Sequence, residues 1–302
     1  MMRPWPAPHA TCCGPTPTSP GVDPHQACSA AARRHWRAMP NRFSEQALRE
    51  SQAFGVRPIP LLRPLGWLAR GWHDLWQAPL ISLAQGAVMA LFGVLLWGLA
   101  HERFWLLSGA FSGFLLVAPV LATGFYACSR EIDHGGRPGW RTLAAVWRPH
   151  DGRLIVFGVL LAFAGTGWVM CSASLVAGFA PTPVRTPHDF LVHVVLNDAS
   201  HLFELWLALG AVLAAPVFAS SVVAIPALLD QPPSKLGVFG AVLTSWRVVL
   251  EHPAPIALWA ALLMGLTLVG MATALVGLVV IGPWLGHASW HAYRDLVTRR
   301  KD

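Results

Sequence analysis

Two histidines four residues apart, His287 and His291, sit in the stretch GHASWHAYRD, where a long apolar run gives way to charge. Residues at i and i+4 share a helical face, so this pair has the spacing to ligate one metal ion. Two nitrogens do not complete a site, and the candidate for a third ligand is Cys128. Aligned on the prolines that precede them, Cys128 falls at the depth of Ala292, beside His291, with Glu131 and Asp295 near enough to orient the ligands. A haem is excluded, because its axial ligands approach from opposite sides of the ring whereas these histidines share one face. The preferred reading of the pair is anchorage: His, Trp, Tyr and Arg together are what a membrane surface selects at a helix end.

Other reactive groups are sparse. His188, His193 and His201 lie with Asp189 and Asp198 between apolar runs, but their spacings of five and eight residues do not align them on one helical face. Gln85 and Glu204 are the polar groups set furthest into apolar runs, and Glu204 sits close enough to an end to reach water. No nucleophile motif stands beside an orienting base, no carboxylates are paired, and there is no phosphate-binding loop. The expectation is a protein that is not an enzyme and carries no cofactor.

The elements that must position these groups are membrane helices. Of 302 residues 54% are hydrophobic and 12% charged, at a mean hydropathy of +0.49, against about 25% charge in ordinary soluble domains. Apolar stretches cover 79–100, 104–128, 154–180, 203–229 and 253–292, and about 20 apolar residues suffice to cross a hydrocarbon core. Tryptophans gather near their ends (Trp67, Trp72, Trp76, Trp97, Trp105, Trp140, Trp147, Trp284, Trp290) and read as interfacial anchors. The net charge of +7 is spread over short loops, which excludes a nucleic-acid surface and points to an anionic inner leaflet. Cys12, Cys13 and Cys28 lie near the amino terminus and Cys128 and Cys171 in or beside separate spans, so no disulfide framework is read.

The last stretch, 253–292, is either one overlong helix or a hairpin of two short spans broken near Gly270 to Thr273. Charge arbitrates, because Lys and Arg gather in cytoplasmic loops. Arg57, Arg63 and Arg70 precede the first span, Arg130, Arg137, Arg141, Arg148 and Arg153 fill the second loop, and Lys235 and Arg247 occupy the fourth. The first and third loops hold one arginine each, Arg103 and Arg185. Arg294, Arg299, Arg300 and Lys301 are then cytoplasmic only if the last stretch crosses twice. The expectation is an all-α membrane protein of six transmembrane helices, five being the alternative, with both termini cytoplasmic.

Internal similarity gives these helices a threefold plan. Trp72 precedes Pro79, and Trp246 precedes Pro253, by seven residues, each pair just before a span. APVLATGFYACSRE at 118–131 and GPWLGHASWHAYRD at 282–295 both set an arginine and an acid eleven and twelve residues after a proline, and Pro226 stands four before Asp230. These read as three degenerate repeats of an amphipathic helix followed by a helical hairpin, with the segments 61–78, 139–149 and 235–252 in the inner interface. Residues 55–298 make the membrane domain and 299–302 a basic end. The proline-rich residues 1–54 hold too little apolar surface to fold alone and are expected to form a disordered tail. Met39 offers an alternative start, which would leave the residues before it untranslated.

The stretches WLARGWHDLWQAP, VVAIPALLD, LTSWRVVLEHPAPIALWA and above all GHASWHAYRDLV resemble the bacterial integral membrane proteins catalogued as domain of unknown function 2189, over roughly residues 55–298. The resemblance implies a bacterial inner-membrane protein and brings no activity with it. Two functions fit the residues. The preferred one is a non-enzymatic assembly, scaffolding or lipid-organising component. The other is a transporter or permeation protein for a small or apolar solute, which repeat symmetry and the prolines Pro119, Pro216, Pro226 and Pro283 within even-numbered spans would suit. Small residues four apart, Ser108 with Ser112, Gly109 with Gly113 and Gly282 with Gly286, pack helices within the bundle or between copies, so a homo-oligomer or a membrane-protein partner is a further expectation. A polar cavity between repeats would favour transport, and a solid bundle the first reading.

Overall fold

The computed structural model of the chain describes residues 44–100, 122–146, 152–197 and 201–299. Among them a short helix, α1 (residues 44–52), leads into β1 (Phe54–Val56). Then follow α2 (Arg63–Gln77), α3 (Pro79–Ala100), α4 (Thr123–Asp133), α5 (Trp140–Val146) and α6 (Arg153–Phe179). The segment after α6 holds α7 (Pro187–Phe190) and a π-helical turn (Leu191–Val195), and beyond it lie α8 (Leu202–Ser221), α9 (Ala224–Asp230), α10 (Val238–Glu251), α11 (Pro253–Ala272), α12 (Leu278–Leu296) and β2 (Val297–Arg299). Among the described residues the fold is all-α apart from this pair of short strands.

Four described segments are long and apolar enough to cross a membrane: Pro79–Gly98, Arg153–Phe179, Leu202–Asp230 and Pro253–Ala272. Their surfaces are largely uncovered by the rest of the chain, as lipid contact requires. The expected second span is described only from Ala122 onward, so Ser108, Gly109, Ser112, Gly113 and Pro119 lie outside the described residues.

Proline sets two of the joints between an amphipathic helix and its span, those from α2 to α3 and from α10 to α11. It has no N–H to continue the ladder, and its ring drives the preceding residue out of the helical region. Before Pro79, Ala78 adopts φ −134° and ψ 56° and donates to the Asp74 carbonyl; before Pro253, His252 adopts φ −131° and ψ 57° and donates to the Val248 carbonyl. The same bend is made twice. In the fourth apolar stretch the helix breaks between Ser221 and Ala224, where the freed Val223 N–H donates to the Ser245 hydroxyl of α10 at 3.1 Å.

The stretch 253–292 is two helices. The break falls at Thr273–Gly277, slightly later than expected, because Gly270 belongs inside α11: a Cβ there would meet Leu278 of α12 at 2.6 Å. Thr273 closes the turn, its hydroxyl donating to the Gly270 carbonyl (2.8 Å) and accepting from the Gly277 N–H (2.9 Å), while Ala274 and Leu275 take positive φ of 53° and 69°. α12 then runs antiparallel to α3, with Gly93 against Leu275, Met89 against Gly282 and Ser82 against His287.

The amphipathic helices pack in a ring. α2 lies on α12, α5 on α4, and α10 on α8 and α9, while α4, α9 and α12 touch one another at the centre. Around this centre runs the main core, which includes Trp67, Tyr126, Ile225, Leu228, Ile256, Trp259, Trp290 and Leu296. Inside a bilayer apolar side chains gain little by leaving lipid; at the level of the amphipathic helices the alternative is water, and full burial of each contributes about 1.5–3 kcal/mol.

Two sequence expectations change. Trp72, Trp76 and Trp140 are 41%, 55% and 60% exposed, as anchors should be, but Trp67 and Trp290 are core residues at 0% and 1%. Their indole N–H groups bond acids that the helix pattern alone does not bring near. Residues 44–54, expected within a disordered tail, are instead ordered by what they dock on: Phe54 and Ser51 are buried, Arg247 of α10 donates to the Ser51 and Phe54 carbonyls, and Glu50 accepts the Gly237 N–H, while residues 1–43 lie outside the described residues. β1 pairs antiparallel with β2, Phe54 opposite Arg299 and Val56 opposite Val297, so the two ends of the described chain lie side by side.

Candidate functional site

α12 is sunk between α2, α3 and α4, and glycine makes this approach possible. A Cβ on Gly71 would stand 2.5 Å from the Ala288 backbone nitrogen, and one on Gly286 would stand 2.5 Å from the Phe125 ring. The polar side chains of the closing motif are thereby pressed into neighbouring helices. Trp290 donates to Asp133 at 2.8 Å, and Arg294 stands 3.6 Å from the same carboxylate. The Tyr293 hydroxyl donates to Asp230 of α9 at 2.8 Å. Asp295 receives Arg63 (2.7 Å), Trp67 (2.8 Å) and Arg70 of α2. Burial pushes the Asp295 carboxyl up, but the bonds from Arg63, Arg70 and Trp67 outweigh it and hold the group at about 2.

His287 and His291 face inward, at 0% and 6% exposure. The anchorage expected of them, with water, lipid or a backbone carbonyl as partner, is replaced by side-chain partners on three helices. His291 Nε2 donates to Asp74 Oδ2 at 2.9 Å; the Ser129 hydroxyl donates to the same oxygen at 2.6 Å. His287 lies between two serines, Nδ1 2.8 Å from Ser129 Oγ and Nε2 2.9 Å from Ser82 Oγ. Proton accounting assigns the tautomer. Ser129 has one hydroxyl proton, spent on the carboxylate, so its oxygen accepts from His287 Nδ1–H; the Nε2 lone pair then accepts from Ser82. An unbroken chain runs Ser82 to His287 to Ser129 to Asp74, where His291 joins it. For Asp74, burial again raises the carboxyl, yet the bonds from His291 and Ser129 bring it below the ordinary value.

Of the three residues named as metal ligands, the structure brings His287 and His291 into one cluster and turns Cys128 elsewhere. Cys128 packs with Ala78, Ile81 and Leu143, and its thiol meets Gln85; it is the next residue, Ser129, that faces α12. One position along a helix is a rotation of about 100°, which proline alignment does not resolve. Among the described residues no group of three or more His, Cys, Asp or Glu side chains is placed to hold a metal ion. Glu131 is exposed, and Asp295 serves α2. In the segment between α6 and α8 Asp189 forms a capping box with Thr186, and Asp198 lies outside the described residues.

Sequence reasoning missed Asp74, Ser82 and Ser129. A signal for Asp74 existed: it falls on the buried stripe of α2 with Trp67, Leu68, Gly71 and Leu75, where an acid is unexpected without a partner. The serines gave none, since a hydroxyl is common near a helix end.

Beside this cluster, between α3, α4, α8, α11 and α12, is a cavity of about 290 Å³ lined by Met89, Phe125, Phe218, Leu263, Met271 and Leu285 among others. Its hydroxyls include Tyr126, Ser221 and Ser289. Ser221 donates to the Phe218 carbonyl and Ser289 to the Leu285 carbonyl, while Tyr126 bonds Ser289. Phe125 separates the cavity from His287, its ring 5.7 Å from the imidazole.

A family model described as a predicted integral membrane protein, domain of unknown function 2189, matches residues 106–230. The match supports an integral membrane protein and spans less of the chain than the 55–298 of the resemblance, leaving α2 and α12 outside it. No curated protein and no solved structure matches the chain.

Proposed function

We propose that the chain is a non-enzymatic inner-membrane protein of six crossings, both termini cytoplasmic, that organises lipid or assembles membrane components. The observation that carries this reading is the closing motif. From His287 to Asp295 every polar side chain is spent on holding a neighbouring helix or its own backbone, which leaves none free for a substrate.

The pairing of β1 with β2 supports an even number of crossings, since strands joined by hydrogen bonds lie on one side of a membrane. The turn at Thr273–Gly277, which divides 253–292 into two antiparallel helices, supports a sixth. The matched bends at Ala78 and His252, and the ring in which each amphipathic helix rests on the end of an even-numbered span, support three repeats. Exposed Trp72, Trp76 and Trp140, with Arg137 and Arg141 beside the last, suit an anionic leaflet. To test the reading, the protein is reconstituted into vesicles with and without phosphatidylglycerol, and retained lipid is analysed by mass spectrometry. Enrichment of the anionic lipid that falls in a Trp72→Ser, Trp76→Ser variant is expected. New lipid products on incubation would overturn the non-enzymatic reading, and equal retention of all lipids the lipid-organising one.

A second reading rests on the cavity. Its apolar lining suits a hydrocarbon-like solute and not an ion or sugar. Gly282 lines it with only Met89 Sδ, at 3.8 Å, near a prospective Cβ, so Gly282→Phe would fill the space. Loss of apolar-dye uptake in that variant, with topology intact, would favour permeation.

A further inference from the structure

Asp74, Ser82, Ser129, His287 and His291 come from four helices, and all five are at most 6% exposed. Their hydrogen bonds form one chain whose direction is fixed by a single hydroxyl proton, that of Ser129. The groups that can carry charge in it are three: one carboxylate on α2 and two imidazoles on α12. Among the described residues no arginine or lysine joins them, and Arg63 and Arg70 are turned to Asp295. α3 and α4 contribute only the Ser82 and Ser129 hydroxyls, and Cys128 on α4 is directed to Gln85. The charges that act on His287 are Asp74 and His291, and those that act on Asp74 are the two histidines.

We propose that this array is a proton-binding site that locks α12 onto α2, α3 and α4. Its logic is charge counting. With both imidazoles neutral, the array carries the one negative charge of Asp74; one added proton makes it neutral, and a second makes it positive. A buried net charge is the costly condition and a buried neutral pair the tolerated one. α12 is therefore held most firmly when the array binds one proton, and less firmly on either side. Uptake of the second proton has a structural route: an imidazolium at His287 presents Nε2–H to Ser82, whose hydroxyl must then turn its own proton away. Because the three groups are coupled, the protons arrive in two steps that belong to the array and not to either histidine. The device links proton concentration on the side of the ring of amphipathic helices to the docking of the last helix.

The test uses the whole purified protein in nanodiscs. Its thermal midpoint is followed across about pH 5 to 8, where imidazoles change charge, beside Asp74→Asn. The wild type is expected to pass through a maximum and fall by several degrees on both flanks. In Asp74→Asn the array is neutral without any added proton, so the alkaline fall disappears and only the acid fall remains. Two profiles that differ by a constant offset would overturn the proposal. If Asp74→Asn does not fold, nitrogen-15 histidine NMR of the wild type decides. The expected signature is the Nδ1–H tautomer for His287 with a titration in two coupled steps, whereas two independent single-proton curves, or the Nε2–H tautomer, would overturn it.

Discussion

Replacing Asp295 by Asn keeps the shape of the side chain and an acceptor for Trp67 but removes the charge that Arg63 and Arg70 share. The carboxyl is held at about 2 against an ordinary 3.8, and at about 1.4 kcal/mol per pH unit that difference corresponds to about 2.5 kcal/mol. The guanidinium side chains are 47% and 38% exposed, so water and salt screen part of the attraction and a discounted loss of about 1–1.5 kcal/mol is expected. For a chain of this size the thermal midpoint should fall by roughly 2–3 °C at neutral pH and low salt. The sign of the pH dependence follows from the direction of the shift. A carboxylate held below its unfolded value adds stability that is complete above about pH 4 and is lost as pH falls through about 2. The gap between wild type and Asp295→Asn, read by thermal unfolding in detergent, should be constant from pH 7 to about 5 and close as pH falls further. Equal midpoints at pH 7, or a gap that stays constant to about pH 2, would refute the reasoning.

Gly71→Ala places a Cβ against the Ala288 backbone and should lower the midpoint by roughly 2–6 °C, the effect of overpacking by about 1–3 kcal/mol; Gly265→Ala, with nothing nearby, serves as the neutral control. Trp290→Phe removes the donor to Asp133 and should cost about 1 kcal/mol; Asp133→Ala, which removes the acceptor and the Arg294 contact together, should cost at least as much, and the double variant less than the sum of the two. Reporter fusions after Phe54 and after Lys301 should report the same compartment and one near Pro187 the opposite; active periplasmic phosphatase at the carboxyl end alone would refute six crossings. Protein purified without a polyhistidine tag should carry no stoichiometric zinc, copper or iron, because the His287 lone pair is engaged by Ser82; stoichiometric metal that vanishes in His287→Ala, His291→Ala would refute this.

Four of the spans were legible because the capacity to cross a membrane is written in composition and length, properties of a contiguous segment. The double helix in 253–292 could be argued from Arg294 to Lys301, whose charge requires it, and its break was misplaced by only a few residues because the turn depends on Gly270 packing against Leu278. The shared face of His287 and His291 was legible from helical period. Their surroundings were not, since Asp74 and Ser82 lie more than 200 residues away in sequence and the period of α12 does not say which way its polar face turns. Cys128 and Ser129 show the limit: alignment on prolines sets depth, while rotation about the helix axis is decided by tertiary contact.

The bonds from α12 back to α2 and α3 have a consequence for how the protein is made. Ribosomes deliver about 5–20 residues per second, so the 217 residues between Asp74 and His291 separate their synthesis by on the order of 10–40 s. Throughout that interval α2 carries an acid on its apolar stripe whose imidazole partner has not been made, and the Ser129 hydroxyl of α4 is the partner that can reach it first. α12 acts in effect as a completion signal: a nascent chain cut short before it presents a carboxylate without its imidazole partner where a chain that includes α12 presents a closed surface, a difference that membrane quality-control proteases are suited to detect.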